Sequence, residues 1–282
     1  MRALVLAVVL GGCASSAAVE PADPVVVVAV ERAFAARGAE IGWVPAFREF
    51  TAPDGQLSQA EIVSAPETLA ATPDDGSRAL FWWPAYAGIA RSGDLGFTTG
   101  PFSVDEARTP RGQYFTVWRR QADGSWKWIW DGGPGRVSDP LNVGIDAPTV
   151  PSMPVADLGV GSAEEAARQV RALESGHATA GSLVSYLAAD AMSFRPGRPR
   201  GEGPAAEGNL VFPNAEIAYR LARVEASSAG DLVFTLGQAS WETDGQAREG
   251  FFARIWQFRA DGWRIVYDQL TIRPPPQPPA SG

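Results

Sequence analysis

The chain spells GDLGFTTG at residues 93–100 and GDLVFTLG at 230–237, six of eight letters agreeing across 137 positions. The likeness extends further. Gly112 to Gly124 aligns with Gly250 to Gly262 at an offset of 138, pairing Tyr114 with Phe252, Thr116 with Arg254 and Trp118 with Trp256. Ser125 is an extra residue of the first copy, and beyond it the offset returns to 137, so that Trp126 meets Trp263 and Asp131 meets Asp268. One hairpin turn with a one-residue length difference accounts for the shift. Solenoid repeats run to roughly 20–50 residues, so a period this long predicts a duplicated domain.

The coarse pattern is the same in both halves. Asp23-Pro24 is a helix-start signal, and Val26, Ala29, Val30, Ala33 and Phe34 recur at helical spacing, predicting a helix over 25–37. Its β-branched run leaves a strand as the rival reading. Ile41, Val44 and Phe47 suggest a second helix, broken near Gly38 or Pro45. Strand-like runs follow at 79–83, 95–99, 113–120 and 126–131, separated by turn residues such as Asp123-Gly124. A Gly- and Pro-rich stretch at 132–160 reads as a linker. Ser162 with Glu165 forms a capping box opening a helix at 163–175, after which strand texture returns. Helices followed by a run of antiparallel strands is an α+β order.

The N-terminus reads differently. MRALVLAVVLGGCASS has one positive charge at Arg2, an apolar run too short for a bilayer, which needs about 20 residues, and the chain's single cysteine, Cys13. The order of charge, apolar run and small residues is that of an export signal, 1–12, followed by a small, polar tether at 13–24. The stretch resembles the lipobox of bacterial lipoproteins, which implies lipidation at Cys13. The absence of Asp after Cys13 implies, by the same resemblance, an outer-membrane protein facing the periplasm. The alternative is an ordinary secretory signal that happens to contain a cysteine. Residues 273–282 form a Pro-rich tail.

A net charge of −8 repels phosphate backbones, so nucleic acid is not expected as a partner. His177 is the only histidine, so no Ser-His-Asp triad or multi-histidine metal site can be built without it, and its place near a helix end suits a solvated or capping role. No cofactor or metal is expected. Gly159-Val160-Gly161 lacks a third glycine and is explained by the capping box. Asp94 and Asp231, each following Gly at a strand entrance, read as turn organisers rather than general bases.

GDLGFTTGPF followed by GQYFTVWRRQADGSWKWIWD resembles the domain-of-unknown-function family 4440, of the SnoaL and ketosteroid-isomerase-like superfamily with the nuclear transport factor 2 fold. The resemblance is strong over 25–131 and traceable over 161–270. It implies two tandem cones, 25–131 and 161–272, each a bent antiparallel sheet with N-terminal helices packed on its concave face. The superfamily holds isomerases, cyclases and hydrolases beside non-catalytic binding modules, so fold alone does not fix activity.

Asp131 and Asp268 end the predicted last strand of each copy, and a carboxylate at the mouth of an apolar cone could move protons. Tyr86 and Tyr114, or Tyr186 and Tyr219, could add a phenol, but no acid pair accompanies them at matching family positions. Trp82, Trp83, Tyr114, Trp118, Trp241, Phe252 and Trp256 could line a ligand cavity or be plain core. Arg254 lies in the aromatic row of strand 251–258, where it either selects an anionic or carbonyl-bearing ligand or forms an internal ion pair, Glu242 being the expected partner. Apolar residues on both faces of QYFTVW and FFARIWQF predict that the two sheets cover each other within one chain, as an intramolecular pseudo-dimer.

Two functions from different classes remain open. One is a lipid-anchored, non-catalytic protein of the cell envelope that binds a small hydrophobic ligand or an envelope protein. The other is an isomerase, cyclase or hydrolase using Asp131 or Asp268 as general base. A cone with no inward-facing ionisable group would exclude the second; a cavity carboxylate hydrogen-bonded near a Tyr would favour it.

Overall fold

The four valines that open the first helix sit in α1 (Val25–Ile41), started by Val25 N–H bonding the Asp23 carboxylate at 2.9 Å. The computed structural model describes residues 22–176, 179–212 and 215–273; Cys13 and His177 lie outside them. The helix runs four residues past its predicted end and breaks at neither Gly38 nor Pro45. The break is Gly42, at φ +97°, a backbone state open to glycine. Pro45 falls in the first turn of α2 (Trp43–Phe50), where its missing N–H costs nothing. Gly38 stays helical and lets Trp82 close in, since a Cβ there would stand 2.9 Å from the indole.

Next come β1 (Thr51–Ser58), β2 (Ile62–Ser64), α3 (Ala65–Ala71), β3 (Phe81–Trp82), β4 (Tyr86–Ile89), β5 (Leu95–Ser103), β6 (Gly112–Arg120) and β7 (Trp126–Gly135). The second half supplies α4 (Ala163–Gly176), α5 (Ala180–Leu183), β8 (Leu187–Phe194), β9 (Gly201–Glu202), α6 (Ala206–Leu210), β10 (Ala218–Ala226), β11 (Leu232–Thr243), β12 (Gln246–Arg259) and β13 (Gly262–Ile272). The first sheet runs β2-β1-β7-β6-β5-β3, with β4 also on β5; the second runs β10-β11-β12-β13-β8-β9. Read from opposite ends, the orders coincide strand for strand. The fold is α+β, two cones in series. Each sheet is mixed rather than wholly antiparallel, because β1 joins β7 and β8 joins β13 in parallel.

Each sheet buries both faces. On one, α1 and α2 cover Tyr114, Trp118 and Trp128, while α4 covers Phe252, Trp256 and Ile265. The other faces meet. Phe97, Phe115, Val117 and Trp130 share one core cluster with Leu232, Phe234, Ile255 and Tyr267, and Phe115 stacks on Tyr267 at 4.2 Å and 11°. The repeated aspartates clasp this contact reciprocally. Asp231 Oδ2 accepts Arg91 N–H at 2.9 Å, and Asp94 Oδ2 accepts Ser228 N–H at 3.0 Å. Their turn bonds from Ser227 and Ser92 are also present, both made by the other carboxylate oxygen. The stretch after Asp131 is no free tether: β7 takes Gly132–Gly135, and Val137, Met153 and Ala156 are buried.

Candidate functional site

The last strand of each sheet carries a register shift at one and the same place. In the first, Trp118 stands opposite Trp128 but Val117 opposite Trp130, leaving Ile129 as an extra residue. In the second, Trp256 opposes Ile265 but Ile255 opposes Tyr267, leaving Val266. A bulge reverses which face later residues occupy. It sends Trp130 and Tyr267 to the contact between sheets and turns Asp131 and Asp268 towards the helices. Neither aspartate ends its strand, as the sequence had suggested; each lies within it, aimed by the bulge beside it.

Around Asp131 is a cavity of about 360 Å³. Trp43 and Phe47 of α2 roof it, Trp82 and Tyr114 form walls, and exposed Gln59 marks the mouth. The lining is mostly apolar, as small-molecule sites are. Thr116 donates to Asp131 Oδ2 at 2.7 Å. Burial pushes the Asp131 carboxyl up to about 7, against the pull of that hydrogen bond, and the Glu31 carboxylate adds to the rise. The Tyr114 hydroxyl is buried with no hydrogen-bond partner among the described residues. Burial first, then Glu31, holds its ionisation well above the ordinary phenol range, so it stays a neutral donor.

Glu31 is the site residue that sequence reasoning missed. It is fully buried, accepting from Trp82 Nε1 at 2.6 Å, from Trp118 Nε1 at 3.0 Å and from the Thr98 hydroxyl. Desolvation raises it to about 7, against those three bonds. The second cone repeats the motif, with Glu174 accepting from Thr235 at 2.8 Å and Trp256 Nε1 at 2.9 Å. A signal was present. Val27, Val28, Glu31 and Phe34 share one buried stripe, as do Ala166, Val170 and Glu174, so an acid interrupts the apolar face of each copy's first helix.

Of the residues singled out from the sequence, the structure brings Asp131, Tyr114 and Trp82 together at the cavity. Trp118 lies behind it on Glu31, and Trp83 bonds Asn142 at 3.0 Å outside it. Trp241, Phe252 and Trp256 are second-cone core. Arg254 is fully buried, its Nε 2.5 Å from Asp268 and its Nη1 2.8 Å from Glu174. The expected partner Glu242 is wrong: it sits opposite Ala247, at the far end of the hairpin, whereas Arg254 sits opposite Thr235 and Asp268. With two carboxylates already on it, Arg254 is an internal ion pair and not a selector of anions. Asp268 also meets Arg195 at 2.5 Å. Burial alone would raise Asp268, but Arg195 and Arg254 outweigh it and hold it below the ordinary value, which makes it a weak base, poorly matched to proton transfer near neutrality.

No protein-family profile matches the chain, and no curated protein matches it. Solved structures similar to parts of it include an NTF2-like protein of unknown function from Pseudomonas putida, 14% identical, with a TM-score of 0.30 over 39% of this chain and 89% of that one. A ketosteroid isomerase-like protein from Erwinia carotovora atroseptica is 18% identical, with a TM-score of 0.30 over 39% and 94%. An LEH-like epoxide hydrolase of M. tuberculosis is 16% identical, with a TM-score of 0.29 over 39% and 79%.

Proposed function

We propose that the first cone binds a small, largely apolar molecule and exchanges a proton with it through Asp131, while the second cone is a closed structural partner. The observation that carries this is the Asp131 carboxyl, poised at about 7, facing an apolar cavity that Tyr114 also lines. A neutral acid beside a phenol can give or take a proton near pH 7 without a metal ligand set. In the second cone the equivalent acid is tied to two guanidiniums, so that chemistry belongs to one cone. Binding of neutral 2-naphthol to the intact chain, followed by fluorescence, is expected to be saturable and to be lost in Ser58→Trp, whose indole would enter the cavity. Non-saturable binding, or binding indifferent to that change, would refute the pocket.

A second reading, turnover of the isomerase or hydrolase kind with Asp131 as base, is favoured by the same carboxyl–phenol pair. Native mass spectrometry of protein released from its own envelope would identify a retained molecule on which to assay it.

The chain is further proposed to be exported and held on the outer membrane by lipid at Cys13, on the support of the Leu10-Gly11-Gly12-Cys13 junction. A fatty-acid analogue fed to cells should label the wild type and not Cys13→Ala; equal labelling would reject it.

A further inference from the structure

The two cones hold the same polar framework, differently filled. Strand register sets the equivalences. Trp82 stands opposite Phe102 as Tyr219 stands opposite Ala239, and Tyr114 opposite Gly100 as Phe252 opposite Gly237. Thr116 stands opposite Asp131 as Arg254 stands opposite Asp268. Leu57 pairs with Asp131 as Ser193 pairs with Asp268, which makes Gln59 the counterpart of Arg195, two residues further on.

In the second cone the framework encloses a guanidinium. The Arg254 Cζ lies 4.0 Å from the Tyr219 ring centroid and 4.1 Å from that of Phe252, within the range of cation–π attraction. Its edges meet Glu174 and Asp268. In the first cone both aromatic walls and both acids remain, as Trp82, Tyr114, Glu31 and Asp131. Both guanidiniums are gone, replaced by Thr116 and Gln59. The 360 Å³ cavity is lined by Trp82, Tyr114, Gln59 and Asp131, and neither Glu31 nor Asp131 has an ion-pair partner among the described residues. Buried Glu31 and half-buried Asp131, which faces the cavity, carry no counter-ion of their own, and a cation entering from outside would supply one.

We propose that the first cone takes an organic cation, an amidinium, guanidinium or ammonium head on a compact apolar body, seated between Trp82 and Tyr114 with its N–H groups on Asp131. Arg254 is the built-in replica of that ligand. Glu31 acts from behind: its Oε1 is taken by the Trp82 indole N–H, so its charge favours the cation without touching it. The assignment rests on the small-molecule reading above and names the ligand class of that same cavity.

The test uses benzamidine and its neutral isostere benzamide, titrated calorimetrically at pH 7.5 into the intact chain. Benzamidine is expected to bind at least about tenfold tighter than benzamide, the scale of a charge-assisted pair. Asp131→Asn should bring the two within about threefold of each other, because it removes the charge and keeps the shape. Thr116→Arg, which installs the replica in the first cone, should abolish benzamidine binding; should that variant not fold, the Asn comparison decides alone. Equal binding of the two probes to the wild type, or a preference that survives Asp131→Asn, overturns the cation assignment while leaving a 2-naphthol site intact. Absence of binding by both probes also overturns it, and the 2-naphthol titration then shows whether the cavity reading falls as well.

Discussion

Arg254→Met is expected to cost about 3–5 kcal/mol of folding stability, the largest single-residue effect anticipated in this chain. The substitution keeps most of the apolar stem that lies against Tyr219 and Phe252, so packing loss is small beside the electrostatic change. It leaves Glu174, fully enclosed by α4 and the sheet, with only Thr235 and Trp256 as donors, and leaves Asp268 with Arg195 alone. Breaking a buried pair is costly because one charge stays behind without water. Urea unfolding at pH 7 reads the loss directly. A loss below about 1 kcal/mol would mean that the network does not hold the second cone shut. Ligand retention in the first cone should not change.

The second large effect is a fall in stability as pH rises from about 4 to about 7. Asp131 and Glu31 have ordinary values of 3.8 and 4.5, and burial in the folded chain lifts both to about 7. Between those limits the folded chain binds more protons than the unfolded one, so the slope of stability with pH is negative. Each of the two groups contributes up to roughly 3–4 kcal/mol, fully present below pH 4 and gone above pH 7, and mutual repulsion couples their titrations. Asp268 acts with the opposite sign. Its depressed value contributes stability present at neutral pH and lost as the solution is acidified below about 4. The optimum therefore falls on the acid side, near pH 4–5. Asp131→Asn keeps an acceptor for the Thr116 hydroxyl and should flatten the fall, exceeding the wild type at pH 8 by up to about 3 kcal/mol. Urea midpoints measured from pH 4 to pH 8 decide the matter; a wild-type stability that rises from pH 5 to pH 7 would show that these acids are ionised in the fold. A bound cation would remove the same penalty, which ties this profile to the ligand class proposed for the first cone.

How much of this was legible beforehand varies by residue. GDLGFTTG and GDLVFTLG disclosed the doubling because their backbone job is identical: a Gly-Asp turn feeding a central strand. Asp123-Gly124, with Gly124 at φ +85°, turns the β6–β7 hairpin where the letters say. Strands of weak pattern, such as TAPDGQLS in β1, gave no sign, since their pairing with β7 is parallel and distant in sequence. At the site, the letters marked Asp131, Tyr114 and Arg254 as unusual but could not say which acid was free.

The local sequence determined the α+β order, the doubling, the hairpin turns and the apolar stripes, because each depends on residues a few positions apart. Only the tertiary structure decided that Ile129 and Val266 bulge, that the bulges turn Asp131 and Asp268 inward, and that Glu31 and Glu174 reach the sheets from their helices. Only it showed that one cone encloses Arg254 while the other stays open. Those outcomes depend on strand register and on charges brought together from across the chain, 80 residues apart for Glu174 and Arg254, and no window of the sequence contains both ends of such a contact.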